Sequence, residues 1–147
     1  LVFMRKKGYI DSLQIEQAHQ RTTPYIYTII CYGYWAFFLR ATMQLPLVIF
    51  WIAIGAIVAL AVVTIINHWW KISAHLTGLG GSIGGVCSFA LYYNILPLSL
   101  ILTLLIGALS LMFARLYLNA HTPMQVIAGL LLGLLCTFTP NLILFHA

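Results

Sequence analysis

Residues 46–66 read PLVIFWIAIGAIVALAVVTII, a run that contains no charged side chain. A helix needs about 20 apolar residues to cross the roughly 30 Å hydrocarbon core of a bilayer, so this run predicts a transmembrane helix. The rest of the chain has the same character, since 63% of its 147 residues are hydrophobic and 6% are charged. A soluble domain carries about a quarter charged residues. The composition therefore indicates a membrane-embedded protein and excludes an intrinsically disordered one.

Four more apolar segments accompany this run, with short polar turns between them. The five predicted segments cover residues 24–39, 46–66, 76–95, 97–114 and 124–146. They predict an all-α, polytopic membrane helix bundle with about five transmembrane helices, in a single domain over residues 1–147. The chain begins with Leu1 and not with Met, and we expect it to be truncated at the N-terminus, with one or more helices missing there.

The charge and the cysteines exclude two other classes of protein. The net charge is +5, but the basic residues are too few and too scattered to follow a phosphate backbone, so no nucleic-acid partner is expected. Cys31, Cys87 and Cys136 are odd in number and lie far apart inside apolar runs. They are interpreted as small buried hydrophobes, neither a disulfide framework nor a metal-binding cysteine pair.

Glycines are concentrated in two of the segments. The third contains Gly80-Gly81-Ser82-Ile83-Gly84-Gly85, which gives two overlapping GxxxG spacings, and the last repeats the spacing with Gly129 and Gly133. A phosphate-binding loop would need a Lys and a Ser or Thr after the glycines, and these are absent. Small residues at this spacing instead let helix backbones approach closely in lipid, so close helix packing is predicted here.

The order of the segments brings most reactive side chains to one side of the membrane. If each segment crosses once, the polar stretch 5–23, the loop 67–75 and the loop 115–123 share a side. This side collects Arg21, His68, Lys71, Ser73, His75, Arg115, Asn119 and His121. The opposite side receives Arg40 with the turn 41–45, the turn 94–96 and the C-terminus.

The cations on that side lack nearby acids. No Asp or Glu follows Glu16, so Lys71 and Arg115 either extend to lipid headgroups as ordinary boundary residues or bind an anionic ligand, of which phosphate suits Lys and Arg best. Two histidines and a serine on the same side favour the ligand site. A metal site is not predicted, because no carboxylate or HExxH pair completes a set of ligands around His75 and His121.

Three short motifs resemble those of the type 2 phosphatidic acid phosphatase (PAP2) superfamily. Residues 114–125, ARLYLNAHTPMQ, resemble its third signature, SRxxxxxHxxxD, with Arg115 and His121 at the matching spacing. Residues 72–75, ISAH, resemble the second, PSGH, and Arg21 with Pro24 resembles the first, KxxxxxxRP. The departures include Gln14 for Lys, Ala74 for Gly, Ala114 for Ser and Gln125 for Asp, and Pro24 lies two residues later than the proline of the first signature. The layout is similar to that of a divergent bacterial branch.

The resemblance implies a mechanism and assigns roles to the residues. His121 would attack phosphorus and form a phosphohistidine, and His75 would protonate the leaving oxygen. Arg21, Ser73 and Arg115 would bind the phosphate, with Lys71 in place of the missing motif lysine. Gln125 would orient His121, although a neutral amide supplies no charge, and loss of the analogous Asp from a serine protease triad costs about 10⁴ in rate. The scheme requires no metal and no cofactor.

Several functions remain compatible with these residues. The first is an integral membrane phosphatase of the bacterial inner (plasma) membrane that acts on phosphatidic acid, phosphatidylglycerol phosphate or a polyprenyl diphosphate. The second is a catalytically weak or inactive protein that binds lipid phosphates or serves as a scaffold. A small transporter or channel subunit is the third, although the charges lie at segment ends and no symmetry between halves is evident.

Overall fold

The apolar segments form five α-helices in a computed structural model that describes residues 22–146, with side chains described as far as Ile143. The described part of the chain contains no strand. The helices are α1 (Thr22–Met43), α2 (Leu47–Ile66), α3 (Ala74–Tyr93), α4 (Leu98–Tyr117) and α5 (Pro123–His146). The predicted all-α fold is confirmed, whereas Arg21, Asp11 and Glu16 lie outside the described residues.

Two predicted boundaries are wrong by about a turn, and each error concerns an arginine. Arg40 lies in the last turn of α1 and not in the following loop, and Arg115 lies in the last turn of α4. A cation at this position interacts favourably with the partial negative charge of a helix C-terminus. Arg40 also donates from Nη1 to the carbonyl oxygen of Leu45, at 2.8 Å, and so helps to close the turn into α2.

Three of the five helices are long and apolar enough to span a membrane: α2, α4 and α5 as far as Ile143. The sequence predicted about five such helices. The other two have sufficient length, with 22 residues in α1 and 20 in α3, but their composition is more polar. Tyrosines lower the hydropathy of α1, and glycines with His75 lower that of α3. The architecture is that of an α-helical membrane bundle.

Helices α3 and α5 pack closely against each other, and glycines lie at their contact. A Cβ added at Gly80 would collide with the backbone of Leu130, and one added at Gly133 would collide with the backbone of Thr77. At Gly84, an added Cβ would lie 2.5 Å from the carbonyl oxygen of Leu134. The helices can approach this closely only because these positions lack side chains, which confirms the predicted packing role of the glycines.

Hydrogen bonds between side chain and backbone reinforce the same contact. On α5, Oγ1 of Thr137 lies within hydrogen-bond distance of the carbonyl oxygen of Gly81 on α3, at 3.0 Å, and of that of Gly133 on its own helix, at 3.1 Å. Ser88 on α3 donates to the carbonyl oxygen of Thr137 at 3.2 Å. Thr137 and Ser88 are buried. Hydrogen bonds of this kind between membrane helices contribute about 0.6–2 kcal/mol each. They fix the register of α3 on α5.

The remaining helices are arranged around this pair. Helix α2 packs on α5 and α3, α1 packs on α2, and α4 packs on α3 and contacts α5 only slightly. Asn94, in the left-handed conformation with φ 52°, ends α3 before the short turn into α4.

The loop after α2 and the loop after α4 meet at one end of the bundle, where the Ser73 N–H donates to the carbonyl oxygen of Gln125 at 3.2 Å. The predicted convergence is confirmed for these two loops.

We expect Gly133→Ala to destabilise the bundle by about 1–3 kcal/mol, because the added methyl group overpacks the contact between the α5 and α3 backbones. The measurement is unfolding in mixed micelles at increasing SDS fraction, followed by circular dichroism. Gly33→Ala is the matched control, since a Cβ at Gly33 on α1 meets nothing within 4 Å. Equal stability of the two variants would contradict the role assigned to the glycine contact.

Candidate functional site

The two loops at this end line an open cavity of about 570 Å³. It lies between residues that follow α2 and residues that join α4 to α5. Its polar lining consists of Lys71, Asn119, His121, Thr122 and Gln125. Three of these, Lys71, His121 and Gln125, are site residues predicted from the sequence. The structure thus brings the predicted nucleophile into one cavity with a predicted phosphate-binding cation.

The imidazole of His121 has a defined orientation. It is half-buried, and its Nδ1 lies 3.0 Å from the backbone carbonyl oxygen of Lys71. A carbonyl oxygen can only accept a hydrogen bond, so Nδ1 carries the proton and donates it. In the neutral ring the lone pair is then on Nε2. The loop after α2 therefore selects the tautomer in which Nε2 of His121 is the nucleophilic atom.

Gln125 has a structural role that the sequence analysis missed. Its Oε1 accepts a hydrogen bond from the Thr122 N–H at 3.0 Å, and the N–H groups of Gln125 and Val126 donate to the Thr122 carbonyl oxygen at 3.0 and 3.2 Å. Thr122 is the residue before α5, Pro123 is its first residue and Gln125 its third. The bond from the Thr122 N–H to Gln125 is one of the two reciprocal bonds of a capping box. Pro123 occupies the first helical position, which proline favours. The signal in the sequence is Thr-Pro-x-Gln before an apolar run.

Ser73 lies directly beneath the junction of the two loops. It is fully buried, and its Oγ has no hydrogen-bond partner among the described residues. The Ser73 carbonyl oxygen accepts from Oγ1 of Thr77 at 3.0 Å, and a Cβ on Gly129 would lie 2.6 Å from that oxygen. A contact between the Ser73 hydroxyl and phosphate therefore requires the surrounding loops to open, and the assignment of Ser73 to phosphate binding stays a prediction.

Other predicted residues lie apart from the cavity of His121. Arg115 is half-buried in the last turn of α4 and is not among the residues that line this cavity. His75 is exposed in the first turn of α3 and lines a second cavity, of about 630 Å³, between α1, α2 and α3. Arg21 lies outside the described residues. The roles predicted for these three residues stay predictions.

Comparison with protein families gives one match, and it covers the region that forms this site. The family model described as PAP2 superfamily matches residues 72–145. This is half of the chain, and it contains helices α3 and α4, His75, Arg115 and His121. The chain belongs to the PAP2 superfamily. No curated protein and no solved structure matches it significantly.

Membership of the PAP2 superfamily agrees with the helical architecture and suggests phosphatase chemistry. It is a superfamily of membrane phosphatases, and this chain combines the family match with three helices capable of spanning a membrane. The match begins at Ile72, so Lys71 lies one residue before it and Arg21 lies well outside it. The resemblance to the superfamily is therefore confirmed. The match covers residues 72–75 and 114–125, whereas the motif assigned to Arg21 and Pro24 lies outside it.

We expect Gln125→Ala to destabilise the protein by about 1 kcal/mol, because the Thr122 N–H at the start of α5 loses its acceptor. Gln125→Glu keeps the acceptor and adds a negative charge at a helix N-terminus, so its stability should equal or exceed that of the wild type. Unfolding in mixed micelles measures both variants. If Gln125→Ala were as stable as the wild type, the capping bond would contribute nothing to the fold.

Proposed function

We propose that this protein is an integral membrane lipid-phosphate phosphatase, acting through a phosphohistidine on His121 and without a metal ion. The substrate class is phosphatidic acid, phosphatidylglycerol phosphate or a polyprenyl diphosphate. The observation that carries the proposal is the hydrogen bond from Nδ1 of His121 to the Lys71 carbonyl oxygen. It orients a histidine within a cavity that also contains the Lys71 side chain.

The first chemical step follows from this tautomer. Nε2 of His121 attacks phosphorus, the bond from phosphorus to the leaving oxygen breaks, and a general acid delivers a proton to that oxygen. The imidazole becomes positively charged, because Nδ1 keeps its proton while Nε2 bonds to phosphorus. The Lys71 carbonyl stabilises that charge through its dipole. Water then attacks the phosphohistidine, and the general acid, deprotonated in the first step, takes a proton from that water. The bond from phosphorus to Nε2 breaks, and its electron pair returns to the ring.

The charge balance of the described chain supports an anionic substrate. Residues 22–146 contain the cations Arg40, Lys71 and Arg115 and no Asp or Glu. Arg40 is at the opposite end of the bundle, so Lys71 and Arg115 are the two lysine or arginine cations at the end where His121 lies. A phosphate dianion satisfies such groups with short, charge-assisted hydrogen bonds. We assign Lys71 to the phosphate oxygens, with Arg115, Ser73 and Arg21 as further predicted ligands.

The proposal also assigns a general acid and a membrane. His75 is the predicted acid from its place in the PAP2 motif, although it lines the second cavity. The resemblance of residues 68–75, HWWKISAH, to a divergent bacterial branch supports a location in a bacterial inner (plasma) membrane.

A specific observation also favours the alternative, a protein that binds lipid phosphate with little or no turnover. The PAP2 motif has an Asp where this chain has Gln125, and Oε1 of Gln125 is engaged by the Thr122 N–H. The acceptor at Nδ1 of His121 is a neutral carbonyl. A carboxylate would stabilise the imidazolium ion more strongly, so this site is expected to turn over more slowly than one with the aspartate.

We expect His121→Ala to lower phosphate release from phosphatidic acid by about 10³-fold or more, because the attacking atom is removed. The full-length protein is assayed in detergent with EDTA, beside a polyprenyl diphosphate as second substrate. His68→Ala is the matched control, since His68 is an exposed histidine at the same end of the bundle and does not line the cavity. Acid-labile radioactive phosphate on the wild type, absent from His121→Ala, identifies the intermediate.

The same assay separates the enzyme from the binding protein. Release that is lost in His121→Ala and kept in His68→Ala establishes turnover and its nucleophile together. A folded protein that binds phosphatidic acid vesicles and releases no phosphate from either substrate would overturn the phosphatase proposal in favour of lipid-phosphate binding. Equal release by His121→Ala and wild type would remove His121 from the mechanism.

We expect Lys71→Met to weaken phosphatidic acid binding roughly 10- to 100-fold, the usual effect of losing a hydrogen bond to a charged group. The substitution leaves the backbone carbonyl in place, so the orientation of His121 is retained. Lys71→Arg should restore part of the affinity, and Arg40→Met, which removes a cation from the opposite end, should leave it unchanged. Half-saturating concentrations for phosphate release measure the effect. An unchanged value in Lys71→Met would show that Lys71 only contacts lipid headgroups.

A further inference from the structure

Helix α4 ends in a tight turn that contains a residue in the left-handed conformation, Asn119, with φ 50°. The Asn119 N–H donates to the carbonyl oxygen of Leu116, and the Ala120 N–H donates to that of Arg115, both at 3.0 Å. These two bonds form a Schellman motif, in which the left-handed position is usually glycine and less often asparagine. The motif turns the chain from α4 into the loop that carries His121.

Three residue types suit this position, and they differ in what they add to the cavity of His121, which Asn119 lines. Glycine, asparagine and aspartate tolerate the left-handed conformation better than other residues do. Glycine would add no side chain, and aspartate would place a carboxylate in the same cavity as Lys71. Asparagine is the one of the three that adds N–H donors without adding a charge.

A second asparagine shows which part of this pattern is structural. Asn94, with φ 52°, occupies the same position in the turn that ends α3 at the opposite end of the bundle. There the Asn94 N–H donates to the carbonyl oxygen of Leu91, and the Ile95 N–H to that of Ala90. Asn94 and Asn119 are both exposed, but Asn119 alone of the two lines the cavity of His121. The turn accounts for an asparagine in both places, and the cavity distinguishes Asn119.

The groups that share this cavity with Asn119 suit a phosphate. Lys71 and Gln125 also carry N–H donors, and none of the described residues that line the cavity is an acid. The oxygens of a phosphate monoester accept several hydrogen bonds, and bonds to an ionised acceptor are about twice as strong as neutral ones. One ammonium group does not fill all of these oxygens. The cavity therefore has a use for a neutral donor beside Lys71.

We propose that Asn119 is a substrate-binding residue, whose Nδ2 donates a hydrogen bond to an oxygen of the lipid phosphate in the cavity of Lys71 and His121. The inference rests on the proposed function, since it assigns a further ligand to the same phosphate. Asn119 thus has two separable roles. Its backbone closes the turn after α4, and its side chain binds the headgroup.

The test compares two asparagine-to-glycine substitutions in the full-length protein, each in the His121→Ala background, which prevents turnover. Asn119→Gly keeps the left-handed turn and removes the carboxamide, so stability in mixed micelles should equal or exceed that of the parent. Its affinity for radiolabelled phosphatidic acid in detergent micelles should fall roughly 10-fold, the effect of losing a hydrogen bond to a charged group. Asn94→Gly makes the same change in the same kind of turn and should leave the affinity unchanged.

A third variant and a second lipid identify the interaction. Asn119→Asp also tolerates the turn, but its carboxylate repels a phosphate, so it should bind phosphatidic acid more weakly than Asn119→Gly does. Diacylglycerol lacks the phosphate and should bind the parent and Asn119→Gly equally. Unchanged affinity for phosphatidic acid in Asn119→Gly would overturn the proposal. An equal loss in Asn94→Gly would also overturn it, because the effect would then belong to the turn and not to the cavity.

Failure of this proposal is distinguishable from failure of the phosphatase proposal. A protein that binds phosphatidic acid through Asn119 and releases no phosphate would refute the phosphatase alone. A protein with wild-type His121 that releases phosphate at the same half-saturating concentration with and without Asn119→Gly would refute the role of Asn119 alone. A protein that neither binds nor hydrolyses phosphatidic acid would overturn both.

Discussion

Direct contact between the backbones of α3 and α5 is the constraint on which the rest of the bundle depends. Lipid chains are as apolar as leucine, so burial of apolar side chains does little to hold membrane helices together, and close packing must do so. Gly80, Gly84 and Gly133 permit that packing, and Thr137 and Ser88 fix its register with hydrogen bonds across the contact. The segments that carry His75 and His121 are the same two helices and their leading loops.

Because α3 and α5 start at the same end of the bundle, their contact determines where the two loops meet. The Ser73 N–H bonds to Gln125, and the Lys71 carbonyl accepts from His121. The first bond joins the end of the loop after α2 to the first turn of α5, the second joins the two loops, and neither uses a charged group. The cationic side chain of Lys71 takes no part in either bond, and Lys71 lines the cavity. The site is thus a junction of two helix starts, where the backbone positions the side chains that would perform the chemistry.

The sequence predicted the features that depend on spacing along a single helix. The helices, the glycine packing and the convergence of the two loops all follow from such local patterns. The role of Gln125 as a helix cap could also have been found, because Thr122-Pro123-x-Gln125 is a local signal. Its importance was missed because the position was compared with an aspartate of the PAP2 motif.

The features that depend on contacts between helices were harder to predict. His75 lies two residues from Ser73 and two from Thr77, and at 100° per residue this places it on the face of α3 opposite the buried one. Orienting α3 by its glycines would have separated His75 from the α5 contact. The acceptor for His121 is a different case. Every residue has a backbone carbonyl, so the sequence does not show which one accepts from His121. Only the three-dimensional structure could reveal it.

That carbonyl has a consequence for how such a site changes during evolution. An aspartate that orients a histidine is lost by a single codon change, whereas a main-chain oxygen is present whatever residue occupies position 71. The orientation of His121 therefore depends on the backbone conformation, and a substitution at position 71 does not remove the acceptor. Substitutions at position 71 can alter the charge offered to a ligand while the imidazole keeps its tautomer. Affinity and nucleophile geometry can thus diverge independently in related sequences.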